Sequence, residues 1–96
     1  MNYAEIKTYD VGSLGNKDFP QQVKMKVHKP LLKDVFGAIK KYVKKNKLTY
    51  IRFNIEIKSG PEGDNIFTPV PAVFAKMVYD EILSSKMQKN VIVQSF

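Results

Sequence analysis

The chain has 96 residues, which is enough for one domain with a modest core. Hydrophobic residues make up 44% and charged residues 26%, a composition that argues against disorder throughout, and the absence of cysteine excludes disulfides and thiol chemistry. No apolar run approaches the roughly 20 residues of a membrane span, and the N-terminal residues lack the pattern of a signal peptide. We therefore expect a cytoplasmic protein, not bound to a membrane, that forms a single domain over residues 1–96.

The net charge of +7 is concentrated in one part of the chain. Residues 20–47 contain nine lysines and one acidic residue, Asp34, whereas the other segments are nearly balanced. Clustered charge creates a local electrostatic field that attracts acidic partners. The pattern favours a nucleic acid or an acidic protein surface as the partner, and a solubilising lysine-rich face is the alternative explanation.

The N-terminal part predicts a strand or arm, a loop and a strand. Tyr3–Tyr9 alternates weakly, so it is expected to form an extra edge strand or an arm. Asp10–Pro20 is rich in turn residues and predicts a loop. Gln22–His28 alternates clearly and predicts a strand whose outward side chains are Lys24, Lys26 and His28.

The middle of the chain predicts a helix followed directly by the longest strand. Apolar residues at helical spacing predict a helix over Leu31–Lys45, with Asn46 as a left-handed C-cap and lysines on the outer face. Lys47–Lys58 alternates strictly, which predicts a central strand with one buried face. Its other face carries Tyr50 and Arg52.

The last third predicts a turn, a short strand, a helix and a final strand. Ser59–Asp64 has strong turn chemistry, and Asn65–Thr68 predicts a short return strand. Thr68 is a candidate N-cap for a second helix that extends to about Lys86. Val91–Phe96 predicts a last strand inside the sheet.

From residue 21 onward this order gives a βαββαβ core of the ferredoxin-like kind, preceded by the strand or arm and loop of residues 1–20. The expected fold is α+β, with two helices on one face of an antiparallel or mixed sheet. The layout resembles that of RNA-recognition-motif domains, but the aromatic-rich octamer of that family is missing, and only Phe67 lies where it would be. If residues 65–68 form a loop, a smaller three- or four-stranded sheet is the alternative.

Catalytic and metal-binding patterns are missing from the sequence. His28 is the only histidine, and no carboxylate is nearby in sequence to orient it. Glu62 and Asp64 do not match a calcium loop, and Asp80 and Glu81 diverge on a helix. We expect a protein that is not an enzyme and that has no cofactor or metal.

Cations interleaved with aromatic rings favour single-stranded nucleic acid, RNA or DNA, because bases stack on rings while cations bind phosphates. Tyr3, Lys7 and Tyr9 would join this surface if the N-terminal segment adds a strand. A protein-protein interaction module is the alternative, such as a small inhibitor or accessory protein of the phage or mobile-element kind on an acidic surface, and open sheet edges allow a homodimer. The predicted nucleic-acid-binding residues are Lys24, Lys26, His28, Lys40, Lys44, Tyr50 and Arg52.

Overall fold

Three α-helices, one short 3₁₀ helix and two β-strands make up the fold in the computed structural model, which describes all residues from Met1 to Phe96. The chain divides into an N-terminal unit of residues 1–31 and a C-terminal unit of residues 32–96. None of the helices is both long enough and apolar enough to cross a membrane. The elements are α1 (Tyr3–Ile6), α2 (Leu32–Lys45), β1 (Phe53–Glu56), the 3₁₀ helix Pro61–Gly63, α3 (Pro71–Ser84) and β2 (Val91–Gln94).

The N-terminal unit begins with a helix where a strand or arm was expected. Asn2 caps α1, since its side chain accepts a hydrogen bond from the Glu5 backbone while the Glu5 carboxylate accepts one from the Asn2 backbone. This capping box satisfies two backbone donors that a four-residue helix would otherwise leave unpaired. The local capping signal thus outweighs the weak alternation of the segment.

The strand expected over Gln22–His28 is not formed. The segment makes three backbone hydrogen bonds with the preceding loop: Val11 N donates to Val27 O at 2.8 Å, Met25 N to Gly12 O at 3.2 Å, and Gln22 N to Phe19 O at 3.0 Å. Val23, Met25 and Val27 all remain exposed. The alternation therefore lacks both a long partner strand and an apolar surface to cover, which are the two things that stabilise a strand.

The C-terminal unit contains a two-stranded parallel sheet, not an antiparallel or mixed one. β1 pairs with β2 in the register Phe53↔Val91 to Glu56↔Gln94, and α3 lies between the strands in the chain. The ferredoxin-like topology is thus not confirmed. Residues 65–68 form no strand: the 3₁₀ helix is followed by a single bridge between Asp64 and Thr68. Because β2 has only one partner, it is an edge strand and does not lie inside the sheet.

The alternation of the central segment describes its burial correctly. Ile51, Phe53, Ile55 and Ile57 are partly buried, whereas the residues between them are exposed. The regular strand is limited to four residues because β2, its partner, is also four residues long.

The core of the C-terminal unit joins both long helices to the sheet. Phe36 of α2, Ile82 of α3 and Met87 are buried, and partly buried residues of both strands pack against them. The rings of Phe36 and Phe53 meet edge to face, with centroids 5.8 Å apart and planes at 78°. Such pairs stabilise a core beyond the area they bury, and truncating a buried Phe typically costs about 3–5 kcal/mol.

Both long helices end in the same way. After α2, Leu48 N donates to Val43 O and Lys47 N to Lys44 O, and after α3 the equivalent bonds come from Met87 and Lys86. This is the Schellman arrangement, in which the residue after the C-cap adopts a left-handed conformation. Lys47 and Lys86 occupy these positions, each with φ of 54°. The left-handed residue is therefore Lys47 and not Asn46.

The start of α3 also differs from the expectation. Val70 is the N-cap, without a side-chain hydrogen bond, and Pro71 follows it within the first turn. Proline suits this position because the first backbone donors of a helix have no intrahelical partner. The hydroxyl of Thr68, the expected cap, is buried and makes no hydrogen bond.

Candidate binding site

An open cleft of about 240 Å³ lies within the C-terminal unit, between α2, the segment before β1 and the turn after α3. Three lysines and one tyrosine give this cleft its chemistry, and we name it the Tyr50 cleft. Its lining residues are Ile39, Lys40, Val43, Lys44, Thr49, Tyr50, Ile51, Lys86, Met87 and Asn90.

Helical spacing places two of the cations. Lys40 and Lys44 are four residues apart on α2 and therefore share one side of the helix. Ile39 and Val43, beside them, are partly buried and fix that side of the helix at the cleft. The third cation, Lys86, follows α3 at the left-handed position described above.

Two hydrogen bonds to the turn before β2 hold the aromatic ring and the backbone next to it. The Tyr50 hydroxyl donates to the Lys89 carbonyl at 2.7 Å, and the Asn90 side-chain amide donates to the Ile51 carbonyl at 2.9 Å. Together these bonds tie the segment before β1 to the turn before β2. The ring is thereby positioned although 54% of Tyr50 is exposed.

Arg52 lies against the same ring. Its guanidinium carbon is 5.1 Å from the centroid of the Tyr50 ring, a cation–π arrangement. Arg52 itself does not line the cleft. The guanidinium thus adds positive charge next to the cleft, on the exposed side of the segment before β1.

The cations of the cleft are not neutralised by acidic side chains. The one ion pair in the structure joins Lys76 to Asp80 on α3, and no carboxylate lies within 4.0 Å of an amino group of Lys40, Lys44 or Lys86. Lys40 has a second contact, because its amino group donates to the carbonyl of Ser85 at the end of α3. The cleft therefore combines net positive charge with one accessible aromatic ring.

The other three residues predicted from sequence belong to the N-terminal unit. Lys26 and His28 line a cleft of about 270 Å³ together with Lys7 and Tyr9, which we name the Tyr9 cleft; its remaining lining residues are Thr8, Asp10 and Val27. The Lys24 side chain instead packs against Gly15 of the loop. The contact is so close that a Cβ added to Gly15 would lie 2.6 Å from the Cε of Lys24. The structure thus groups Lys26 with His28 and separates Lys24 from both.

Asp10 closes the loop of the N-terminal unit. Its Oδ1 accepts hydrogen bonds from the backbone of Gly12 at 3.0 Å, Ser13 at 3.1 Å and Val27 at 3.4 Å. The Ser13 side chain, followed by these backbone donors, lowers the pKa of Asp10 to about 2. This carboxylate serves the loop structure, and its charge is partly offset by the donors around it.

A comparison with models of protein families found no match, and a comparison with curated proteins found none either. No group of three or more acidic or histidine side chains is close enough together to hold a metal ion.

Sequence reasoning missed Lys86 and Asn90 as partners of the predicted residues Lys40, Lys44 and Tyr50. Lys86 reaches the cleft because α3 ends in a left-handed residue, a position that usually holds glycine and so gives no signal when it is lysine. Asn90 is placed by its bond to Ile51, a contact between distant parts of the chain.

Proposed function

We propose that the protein binds single-stranded nucleic acid, RNA or DNA, at the Tyr50 cleft, as a cytoplasmic protein without catalytic activity. The single observation that carries this proposal is that Lys40, Lys44 and Lys86 line one cleft with the exposed ring of Tyr50. A phosphate chain needs cations that no carboxylate neutralises, and an unpaired base needs an accessible ring.

Each part of the cleft has a defined role in this proposal. The lysines bind phosphates, mainly through charge, which makes binding depend strongly on salt. Tyr50 offers a surface for one base, a contact that typically contributes about 1–3 kcal/mol. A duplex hides its bases in the stack, so it satisfies the lysines but not the ring, and single strands are preferred.

A matched pair of double variants tests the role of the lysines. Lys40→Gln with Lys44→Gln removes two charges from the cleft, whereas Lys41→Gln with Lys45→Gln removes two charges from the same helix outside the cleft. Affinities are measured by fluorescence polarisation with labelled single- and double-stranded oligonucleotides across a salt series. Thermal unfolding of each variant tests whether the fold is retained.

The proposal predicts tighter binding of the single strand by the unchanged protein. It also predicts that the plot of log affinity against log salt becomes shallower by about 1.4 in the cleft variant, the value for two lost phosphate contacts on a single strand. Equal effects of the two double variants would show that general charge, and not the cleft, attracts the oligonucleotide. Equal affinity for single and double strands would contradict the role of the ring.

A protein partner is the second candidate, and the free edge of β2 favours it. Ile92 is 61% exposed, and no charged residue interrupts Val91–Phe96. An uncharged edge strand can add to the sheet of another chain, including a second copy of this one. A partner that remains in a fixed ratio after nuclease treatment would support this candidate, and loss of the partner on nuclease treatment would count against it.

A further inference from the structure

The Tyr9 cleft repeats the chemistry of the Tyr50 cleft with different residues and in the other unit. Lys7 and Lys26 line it, together with His28 and with Tyr9, which is 58% exposed. None of these cations has a carboxylate within ion-pair distance. Each unit of the chain thus carries its own cleft that combines an accessible tyrosine with lysines that form no ion pair.

The fold of the N-terminal unit assembles this cleft from two separate stretches. Lys7 follows α1 directly, and its backbone donates to Tyr3 and so continues the helical turn. The hydrogen bond from Val11 N to Val27 O then sets residues 7–10 beside residues 26–28. Val27 N also donates to the Asp10 carboxylate and so reinforces this closure, which means that backbone contacts bring the two stretches together.

The one carboxylate in the cleft does not cancel its positive charge. Asp10 is the acidic residue among the lining side chains, and its Oδ1 accepts three backbone N–H donors. Against this one carboxylate, two lysines, Lys7 and Lys26, line the cleft. The balance of the cleft is therefore positive, as an anion requires.

We propose that the Tyr9 cleft is a second contact site for single-stranded nucleic acid, in which Lys7 and Lys26 bind a phosphodiester group and Tyr9 stacks on a base. This inference rests on the proposed function, because it assigns the same class of ligand to a second cleft. Two sites on one chain increase affinity when a strand is long enough to occupy both, since the second contact becomes intramolecular.

Two double variants with equal charge test the second site. Lys7→Gln with Lys26→Gln neutralises the cleft, whereas Lys17→Gln with Lys29→Gln neutralises two exposed lysines of the same unit that line neither named cleft. Each full-length variant is titrated with a labelled single-stranded oligonucleotide over a salt series. The Lys40→Gln, Lys44→Gln variant is measured alongside as a test of the Tyr50 cleft.

Because both lysines bind one phosphodiester group, the second site predicts that the Lys7, Lys26 variant makes the salt slope shallower by about 0.7, the value for one lost phosphate contact on a single strand, while the Lys17, Lys29 variant leaves the slope nearly unchanged. Equal losses in these two variants would overturn the second site. If the Lys7, Lys26 variant matches the unchanged protein while the Lys40, Lys44 variant loses affinity, the second site is wrong and the proposed function stands. If the unchanged protein binds no oligonucleotide, both are wrong.

Discussion

The guanidinium of Arg52 lies 5.1 Å from the centroid of the Tyr50 ring, and the hydroxyl of that ring donates to the Lys89 carbonyl. Both side chains are exposed, although they flank the partly buried Ile51. The ring is thus held at its hydroxyl end and covered by a cation on one side. This arrangement costs a ligand little ordering entropy, because the ring is positioned before the ligand arrives.

Tyr50→Phe separates the ring from its hydroxyl. The hydroxyl bond contributes about 1 kcal/mol to stability in typical cases, whereas the stacking surface remains in Phe. We expect a small loss of stability in urea unfolding and an oligonucleotide affinity within about threefold of the unchanged protein. A loss of affinity as large as that of Tyr50→Ala would show that the hydroxyl, and not the ring, makes the important contact.

Lys40 also stabilises the fold, since its amino group donates to the Ser85 carbonyl at the end of α3. A cation at this end complements the helix dipole and satisfies a carbonyl that has no intrahelical partner. We expect Lys40→Ala to lower the free energy of unfolding by about 0.5–1 kcal/mol, and Lys41→Ala, on the same helix, to change it by less. Thermal unfolding measures both, and equal melting temperatures would contradict the contact.

Asp10 makes the stability of the N-terminal unit depend on pH. Its pKa is lowered to about 2, so the stabilisation from its hydrogen bonds is present above the usual carboxyl pKa near 3.8 and is lost as the pH falls through about 2. We expect a carboxyl titration near pH 2 by NMR, together with faster amide exchange of Gly12 and Val27 in Asp10→Asn. Because the Ser13 side chain is the largest cause, Ser13→Ala should raise this pKa. A normal carboxyl pKa in the unchanged protein would contradict the loop closure.

Lys47 occupies a backbone conformation that favours glycine, with φ of 54°. The left-handed conformation destabilises the folded state by roughly 1–2 kcal/mol when the residue has a Cβ. Glycine avoids this cost but loses more conformational entropy on folding, which cancels part of the gain. We expect Lys47→Gly to be about 1 kcal/mol more stable than Lys47→Ala, which removes the same charge. Chemical unfolding of the two variants compares them directly, and a less stable glycine variant would refute the left-handed turn.

The two long helices, α2 and α3, and the inward face of the central segment could be predicted from the sequence because their signals are local. The stripe that includes Phe36 and Ile39 marks α2, and the alternation from Ile51 to Ile57 matches the observed burial. Strand pairing is not local: nothing in the alternation of Lys47–Lys58 selects β2 as its parallel partner. The strands expected at 22–28 and 65–68 fail for that reason, since neither segment obtains a partner long enough to form a ladder.

The candidate site was predictable to a similar extent. The spacing of Lys40 and Lys44 alone places them on one side of the helix, and Tyr50 follows soon after the helix ends. Two cations and an aromatic ring are residue types that indicate a common ligand. No local pattern places Lys86 beside them, because its position depends on where α3 ends and how the chain turns there. The alternation of Gln22–His28 predicts Lys26 on a sheet face, whereas the structure places it in a cleft with Lys7.

The most direct test of the Tyr50 cleft is the affinity of Tyr50→Ala for a labelled single-stranded oligonucleotide at moderate salt. Tyr79→Ala is the matched control, because Tyr79 is 60% exposed on α3 and does not line the cleft. We predict that Tyr50→Ala weakens binding by about 5- to 150-fold, the equivalent of one lost stacking contact, and that Tyr79→Ala binds as the unchanged protein does. Equal affinities of the two variants would contradict nucleic-acid binding at this cleft.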